Sequence, residues 1–337
     1  MQSRPGDLSD AAVAAAVSDG WELPRATAVY QPVGYGSHHW SIEDAMGGRW
    51  FASVDRLDGT DPEASFGRLA AALAAAANAR DAGLSFVVAP VHTAGGSILH
   101  RLSGQYALAL YPYVAGRSGG FYDALTPAEA AELTGMLGEL HGVPQPAGTG
   151  RSRGGLGVET FALPGRDRLE GALADLLEAD GWSGPYGAGL RALLAGHADD
   201  VNSALREHDR LMAAAGPQTG RLVLTHGEPH PGNLIRTGDG LVLIDWDTAL
   251  LAPPERDVWL LTTRTDARAA DEYAARSGRS LQPELLTLYE LAWALADLAG
   301  FVESLRYTPE RTADTAWSWD ALQRTVAGLA SVPARCG

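Results

Sequence analysis

Residues 225–233 read Thr-His-Gly-Glu-Pro-His-Pro-Gly-Asn, and a further run, Leu241-Val-Leu-Ile-Asp-Trp-Asp247, follows a Gly-containing turn. Together they carry a carboxylate at Glu228, an amide at Asn233 and a carboxylate at Asp245, the last closing an apolar strand. Strand ends beside turns hold side chains rigidly. Carboxylate and amide oxygens are hard donors that suit Mg²⁺, which takes few protein oxygens and fills its shell with phosphate oxygens. The remaining carboxylate can orient a substrate hydroxyl or take its proton. A zinc site is the competing chemistry, because His226, Glu228 and His230 alternate as ligands on one face of a strand would. Pro229 and Pro231 break that geometry, and no third His or Cys lies close in sequence.

Upstream, Thr27–Val33 is strand-like and runs into Gly34-Tyr35-Gly36-Ser37, followed by strand-like segments at 38–42 and 49–57 joined by Gly47-Gly48. Glycines at such a loop let backbone N–H groups approach phosphate without a Cβ in the way. An Ala-rich helix is expected over 64–82 and further strands over 85–91, 97–102 and 106–114. A flexible connector, Ala115–Gly120, then precedes a helical half. Thr126 and Pro127 open a helix to 143 as N-cap and first helical residue, 144–165 reads as loop, and helices follow at 166–180, 187–214, 267–276, 282–305 and 313–330. Between them, 221–259 reads as strand, loop, short strand, turn, strand, loop.

This arrangement resembles the aminoglycoside phosphotransferase family, in which His-Gly-Asp-x-x-x-x-Asn precedes an apolar strand ending in Ile-Asp-Trp. His226–Asn233 and Leu243–Asp247 match those places, and Ala252–Trp259 is similar to the family's downstream segment. The resemblance implies an α+β, bilobal, protein-kinase-like fold with an antiparallel-sheet N-lobe (1–110), a hinge (111–120) and a mainly helical C-lobe (121–337). It implies Glu228 as the catalytic carboxylate, His226 as a backbone-bonding shaper of the loop, Asn233 and Asp245 as Mg²⁺ ligands, and Asp257 as a buttress. It also implies a nucleotide site of Gly34, Tyr35, Gly36 and Ser37 over the phosphates. Pro112 and Val114 would face the purine, Pro112 offering only C=O and Val114 an N–H, a pair that serves ATP or GTP. Acceptor contacts would come from Asp247, Asp297 and Glu303, acids suited to amino groups. The expected activity is phosphoryl transfer from ATP or GTP to a hydroxyl of an antibiotic or related natural product. A silent nucleotide-binding protein, or a kinase of a metabolite such as choline, a sugar or homoserine, would use the same site.

Two departures from the family stand out. The strand residue that is ordinarily a phosphate-pairing Lys is Ser53, and the chain has 26 basic residues, all Arg. Every mechanism that needs a lysine amine is thereby excluded. The following helix shows one acid, Asp81. Secondly, Glu228 stands where the family has Asp, so its carboxylate reaches about 1.5 Å further, one C–C bond.

Composition sets the remaining bounds. With 46% apolar residues in 337, two lobes with ample core are expected. A net charge of −15 disfavours nucleic acid and anionic membranes as partners. The single Cys336 excludes an intrachain disulfide. The polar, acidic start Met1–Asp10 is unlike a signal peptide, and Ala11–Val17 is too short to span a bilayer. A cytoplasmic monomer or homodimer is the expectation.

Overall fold

The computed structural model describes residues 3–34, 36–57, 61–144, 155–178, 181–264 and 268–329. Tyr35 and Cys336 lie outside the described residues. In chain order the elements are α1 (Asp10–Gly20), β1 (Thr27–Gln31), β2 (His38–Glu43), β3 (Arg49–Arg56), α2 (Pro62–Asp81), β4 (His100–Arg101), β5 (Tyr106–Pro112), β6 (Arg117–Ser118) and α3 (Pro127–His141). They continue with α4 (Arg166–Ala174), α5 (Gly187–Gly196), α6 (Ala198–Ala215), β7 (Val223–Thr225), β8 (Leu234–Thr237), β9 (Gly240–Leu243), β10 (Leu250–Ala252), α7 (Glu255–Arg264), α8 (Arg268–Ser277), α9 (Pro283–Arg306) and α10 (Ala313–Leu329). The class is α+β. The chain forms two compact units, Met1–Val158 with Arg221–Arg279, and Glu159–Gly220 with Ser280–Gly337. The cuts fall inside the stretch read from sequence as one C-lobe, and they group the Thr225–Asn233 loop with the β-rich half.

In the first unit an antiparallel sheet runs β1-β2-β3-β5-β4. Alternation along β3 decides its faces. Ala52 and Val54 are buried with Trp40, Ile42, Leu108, Leu110 and the α1 residues Val13 and Val17, so Phe51, Ser53 and Asp55 project from the opposite face. Register pairs Ser53 with His39 on β2 and Phe51 with Tyr111 on β5. Helix α3 begins with a reciprocal capping box, Thr126 with Glu129.

Several segments differ from the sequence reading. Residues 85–91 form no strand. Leu243 N–H donates to Phe86 O, Val88 N–H to Leu243 O and Val91 N–H to Leu110 O, which leaves no continuous ladder, and Pro90 has no N–H to give. The expected connector Ala115–Gly120 contains β6, which pairs with β8. Helix α7 begins directly after Pro253-Pro254 where loop was read, since Pro is compatible with a helix start. Helix α1, capped by the Ser9 hydroxyl, was not anticipated. The long helix expected over 187–214 is two, broken at His197 (φ −122°).

The second unit is a helical core of α4, α5, α6, α9 and α10. Helix α9 is long and apolar enough to cross a membrane by length and composition (hydropathy 1.5), but Leu285, Leu288, Leu291, Leu295, Leu298 and Leu305 are buried in that core.

Candidate active site

The Thr225–Asn233 loop is fixed by backbone-directed bonds. His226 Nε2 lies 2.8 Å from Ile244 O, and its Nδ1 accepts from Glu228 N–H at 3.1 Å. A ring that accepts at Nδ1 and donates at Nε2 is the neutral Nε2–H tautomer. Burial agrees, holding His226 down at about 4 against the upward pull of Asp257. Its ring meets the buried Trp246 edge-on with centroids 4.6 Å apart. His226 is therefore a loop-shaping residue, and the zinc alternative fails, because His230 is committed too. Its Nδ1 accepts from Gly232 N–H at 3.1 Å. Among the described residues no group of three His, Cys, Asp or Glu can hold a metal.

Asn233 ties the pieces together. Its Nδ2 donates to Glu228 O at 3.0 Å, which orients the amide, and its backbone O accepts from Ile244 N–H at 3.0 Å, next to Asp245. Asp245 adopts φ 70°, a left-handed conformation uncommon outside Gly, Asn and Asp and characteristic of functional turns. Glu228 and the β3 residue Asp55 are close enough to raise the charging cost of Asp245 and Asp247. Burial, then Glu228, then Asp55, push Asp245 up, and burial, Asp245, Asp55 and Glu228 push Asp247 up. Asp245 and Asp247 are nevertheless solvent-accessible, so water lessens the burial contribution and mutual repulsion is the firmer cause. Glu228 goes the other way: burial would raise it, but His230, His226 and Arg256 outweigh that and lower it. His230 Nε2 stands 3.8 Å from Glu228 Oε2, near but beyond hydrogen-bond range.

Beneath the loop lies a buried chain of polar groups. Asp257 on α7 accepts from His226 N–H (2.9 Å) and Gly227 N–H (2.6 Å), and its Oδ2 is 3.0 Å from His141 Nε2. His141 Nδ1 is 2.6 Å from Tyr273 OH on α8. All three side chains are buried. Burial pushes Asp257 up, but the bond and charge of His141, with Arg256 and His226, hold it below its ordinary carboxylate value. His141 and Tyr273 were not foreseen: a lone His at a helix end and a Tyr in a separate helix share no sequence pattern.

On the sheet side, Gly34 (φ 70°) and Gly36 (φ 93°) have backbone that disfavours other residues. Ser37 Oγ donates to Asp55 Oδ1 at 2.5 Å, tying the glycine loop to β3. Burial lifts Asp55 to about 6 despite that bond. Ser53 lies on the same face of β3. Asp55 was missed, yet period-two counting from Ser53 finds it. Arg56 is exposed on the next face, and Arg68 is an exposed residue bonded to Ser65. Helix α2 also includes Glu63, which pairs with Arg101 at 2.9 Å. Pro112 ends β5 opposite Trp50, and Tyr113 N–H donates to Arg49 O. In the second unit, Asp297 and Glu303 lie on α9, and Glu303 pairs with Arg168 at 3.0 Å.

The donor set at the loop fits a hard divalent cation. Asn233 and Asp245 supply oxygens, and the repulsion that Glu228 and Asp55 exert on Asp245 and Asp247 is what a cation would relieve.

Comparison with known proteins decides the family. The model of the phosphotransferase enzyme family matches residues 30–291, a span that contains the glycine loop, the catalytic loop and the Asp245 turn. The chain belongs to the phosphotransferase enzyme family. Protein StrN of Streptomyces griseus is 32% identical over 250 residues, 72% of each chain. A thiamine kinase of Salmonella typhimurium is 31% identical over 180 residues, 48% of this chain and 64% of that one. Among solved structures, a spectinomycin phosphotransferase in complex with ADP and spectinomycin matches with TM-score 0.75 at 15% identity, covering 97% of this chain and 99% of the other. A microcompartment-associated aminopropanol kinase matches with TM-score 0.60 at 18% identity over 96% of each chain. The fold is the kinase-like fold of these phosphotransferases, and this phosphotransferase carries its motif residues on one compact unit.

Proposed function

We propose that this phosphotransferase moves the γ-phosphoryl group of ATP or GTP to a hydroxyl of a small molecule, an aminoglycoside-like or other antibiotic, as inactivation or as a biosynthetic step. One observation carries the reading: Asn233 bonds Glu228 O through its side chain and Ile244 N–H through its backbone, linking the loop of Glu228 to the residue that precedes Asp245. Glu228 orients the acceptor hydroxyl and takes its proton as the oxygen bonds to phosphorus and the bond to the β-phosphate oxygen breaks, releasing ADP or GDP. Its lowered pKa keeps it ionised for that task. Asn233 and Asp245 hold Mg²⁺, which when bound neutralises phosphate charge. His226 holds the loop in shape. The backbone at Gly34, Gly36 and Ser37 covers the phosphates, Ser53 faces them in place of the lysine, and Pro112 C=O and Val114 N–H meet the purine edge. Asp247 meets an amino group of a cationic acceptor, and Asp297 and Glu303 on α9 are acids of the kind suited to the same task. The relatives that act on spectinomycin, thiamine and aminopropanol support a small acceptor. A cytoplasmic setting, where nucleoside triphosphates are available, completes the proposal, with a monomer or homodimer as the working form and no nucleic acid or membrane as partner.

The test is incubation with Mg²⁺ and ATP or GTP against aminoglycosides, spectinomycin, nucleoside antibiotics, thiamine, choline and homoserine, with mass spectrometry for added phosphate. Ser53 in the lysine position motivates a second reading, a nucleotide-binding protein without transfer. Nucleotide binding with no phosphorylated product across the panel favours that reading. Full activity in Glu228→Ala removes the role given to Glu228.

A further inference from the structure

Arg256 is the second residue of α7, in the first turn, where the helix dipole disfavours a cation. Its acidic neighbours in sequence each have hydrogen-bond partners of their own, and its charge also lowers Asp257. Glu255 is held by Arg221 at 2.6 Å and Asp257 by the loop N–H groups and His141. The guanidinium instead spans two turns. Nη1 donates to Thr225 Oγ1 at 3.0 Å and Nη2 to Thr248 O at 2.9 Å. Thr225 Oγ1 donates onward to Leu250 O at 2.9 Å, and Thr248 Oγ1 donates to His226 O at 2.8 Å. One planar fork thus joins the segment that leads into Glu228 to the segment that leaves Asp245 and Asp247.

Gly227 is shaped to receive that fork. A Cβ at Gly227 would stand 2.6 Å from Nη1 and Nη2 and 2.7 Å from Cζ, and the residue has φ 102°. The absence of a side chain at 227 therefore has two causes, backbone conformation and the seat of Arg256. Lysine would not replace arginine here, since a single ammonium cannot reach two acceptors as a rigid fork does.

We propose that Arg256 is a positioning residue that locks the Glu228 turn to the Asp245–Asp247 turn, with Gly227 as its seat, and so sets the register of the groups that transfer phosphate. The inference rests on the phosphotransferase reading for its catalytic consequence, but the register itself is a property of the fold.

The test uses the full chain and four variants: Arg256→Met, Arg256→Lys, Gly227→Ala, and Gly227→Ala with Arg256→Met. Three measurements are made: Mg²⁺-dependent hydrolysis of ATP and GTP with water as acceptor, binding of a fluorescent ATP analogue, and amide hydrogen exchange. Arg256→Met is expected to lower kcat about tenfold or more, as a displaced reacting group does, with nucleotide Kd changed by less than about threefold. Exchange rises at 225–228 and at 245–248 together. Arg256→Lys recovers part of the loss. The double variant is expected to lose no more than about the worse single variant, because Met removes the atoms a Cβ would strike. Losses that multiply in the double variant, or Arg256→Met within about twofold of wild type in turnover with unchanged exchange at both turns, overturn the proposal. If the wild-type chain neither hydrolyses nucleotide nor phosphorylates any acceptor of the panel, the phosphotransfer reading fails, and exchange at the two turns still decides the role of Arg256. If Gly227→Ala does not fold, Arg256→Met and Arg256→Lys decide it by the split between kcat and Kd.

Discussion

Replacing Asp257 with Asn tests whether the catalytic loop is held from below by charge. The wild-type carboxylate is buried and accepts three hydrogen bonds, from His226 N–H at 2.9 Å, Gly227 N–H at 2.6 Å and His141 Nε2 at 3.0 Å. Asn offers one acceptor oxygen, and its NH₂ must face either the Gly227 N–H or the pair His226 N–H and His141, donor against donor. A hydrogen bond to a charged group contributes about 1.5–3 kcal/mol, and a buried donor left unsatisfied costs about 1–3 kcal/mol. The expected loss is therefore about 3–5 kcal/mol, the range found when one partner of a buried charge pair is removed. At about 2–4 °C per kcal/mol for a unit of some 200 residues, the melting midpoint falls by about 6–20 °C. Calorimetry gives the midpoint, and turnover of the still-folded variant below it reports on the loop. A midpoint within about 2 °C of wild type with turnover intact would show that the loop does not depend on this carboxylate.

Other outcomes follow from the same geometry. Glu228→Asp retracts the carboxylate by about 1.5 Å and is expected to lower kcat by about 10²-fold in a site built around Glu; equal or higher turnover would show a loop set for Asp. Tyr273→Phe removes the group 2.6 Å from His141 Nδ1 and leaves a buried nitrogen unpaired, for a loss of about 1–3 kcal/mol read by chemical denaturation; a change below about 0.5 kcal/mol refutes the buried chain. His208 on α6 is buried, and among the described residues neither ring nitrogen has a hydrogen-bond partner. Asp209 Oδ1 stands 3.8 Å away and both its oxygens bond Arg166, so burial sets the direction, downward. A His lowered in the folded state binds fewer protons there than when unfolded. Its contribution is intact above the ordinary value near 6.5 and is lost as pH falls below it. His208→Leu is expected to flatten the acid side of the stability profile between about pH 5 and 6.5; an unchanged slope in the melting curves would refute this.

Much of the site was legible because it is local. Glu228, Asn233 and His226 lie within eight residues, and Asp245 closely follows a strand whose apolar run is plain in the sequence. Turn chemistry at Gly227, Pro229 and Pro231 restricts the backbone, so residue types at that spacing already constrain geometry. The face shared by Ser53 and Asp55 was equally readable, since side chains alternate along a strand. The capping box at Thr126 and Glu129 likewise follows from three-residue spacing.

What the sequence by itself determined is therefore the set of elements near the motif, the chemistry of its oxygens and the lack of any lysine to grip phosphate. Tertiary structure alone decided which distant groups stand beneath and beside that motif. His141, Tyr273 and Arg256 arrive from α3, α8 and α7 to join Asp257, which the resemblance had already implied as a buttress, and each is chosen by what a buried N–H, carbonyl or carboxylate requires as a partner. The apolar run at 85–91 shows the same dependence, its N–H groups going to Leu243 and Leu110 rather than to a ladder of its own. Local propensity specifies how a segment bends. Satisfaction of buried polar groups depends on everything packed around them, and that is a property of the folded chain.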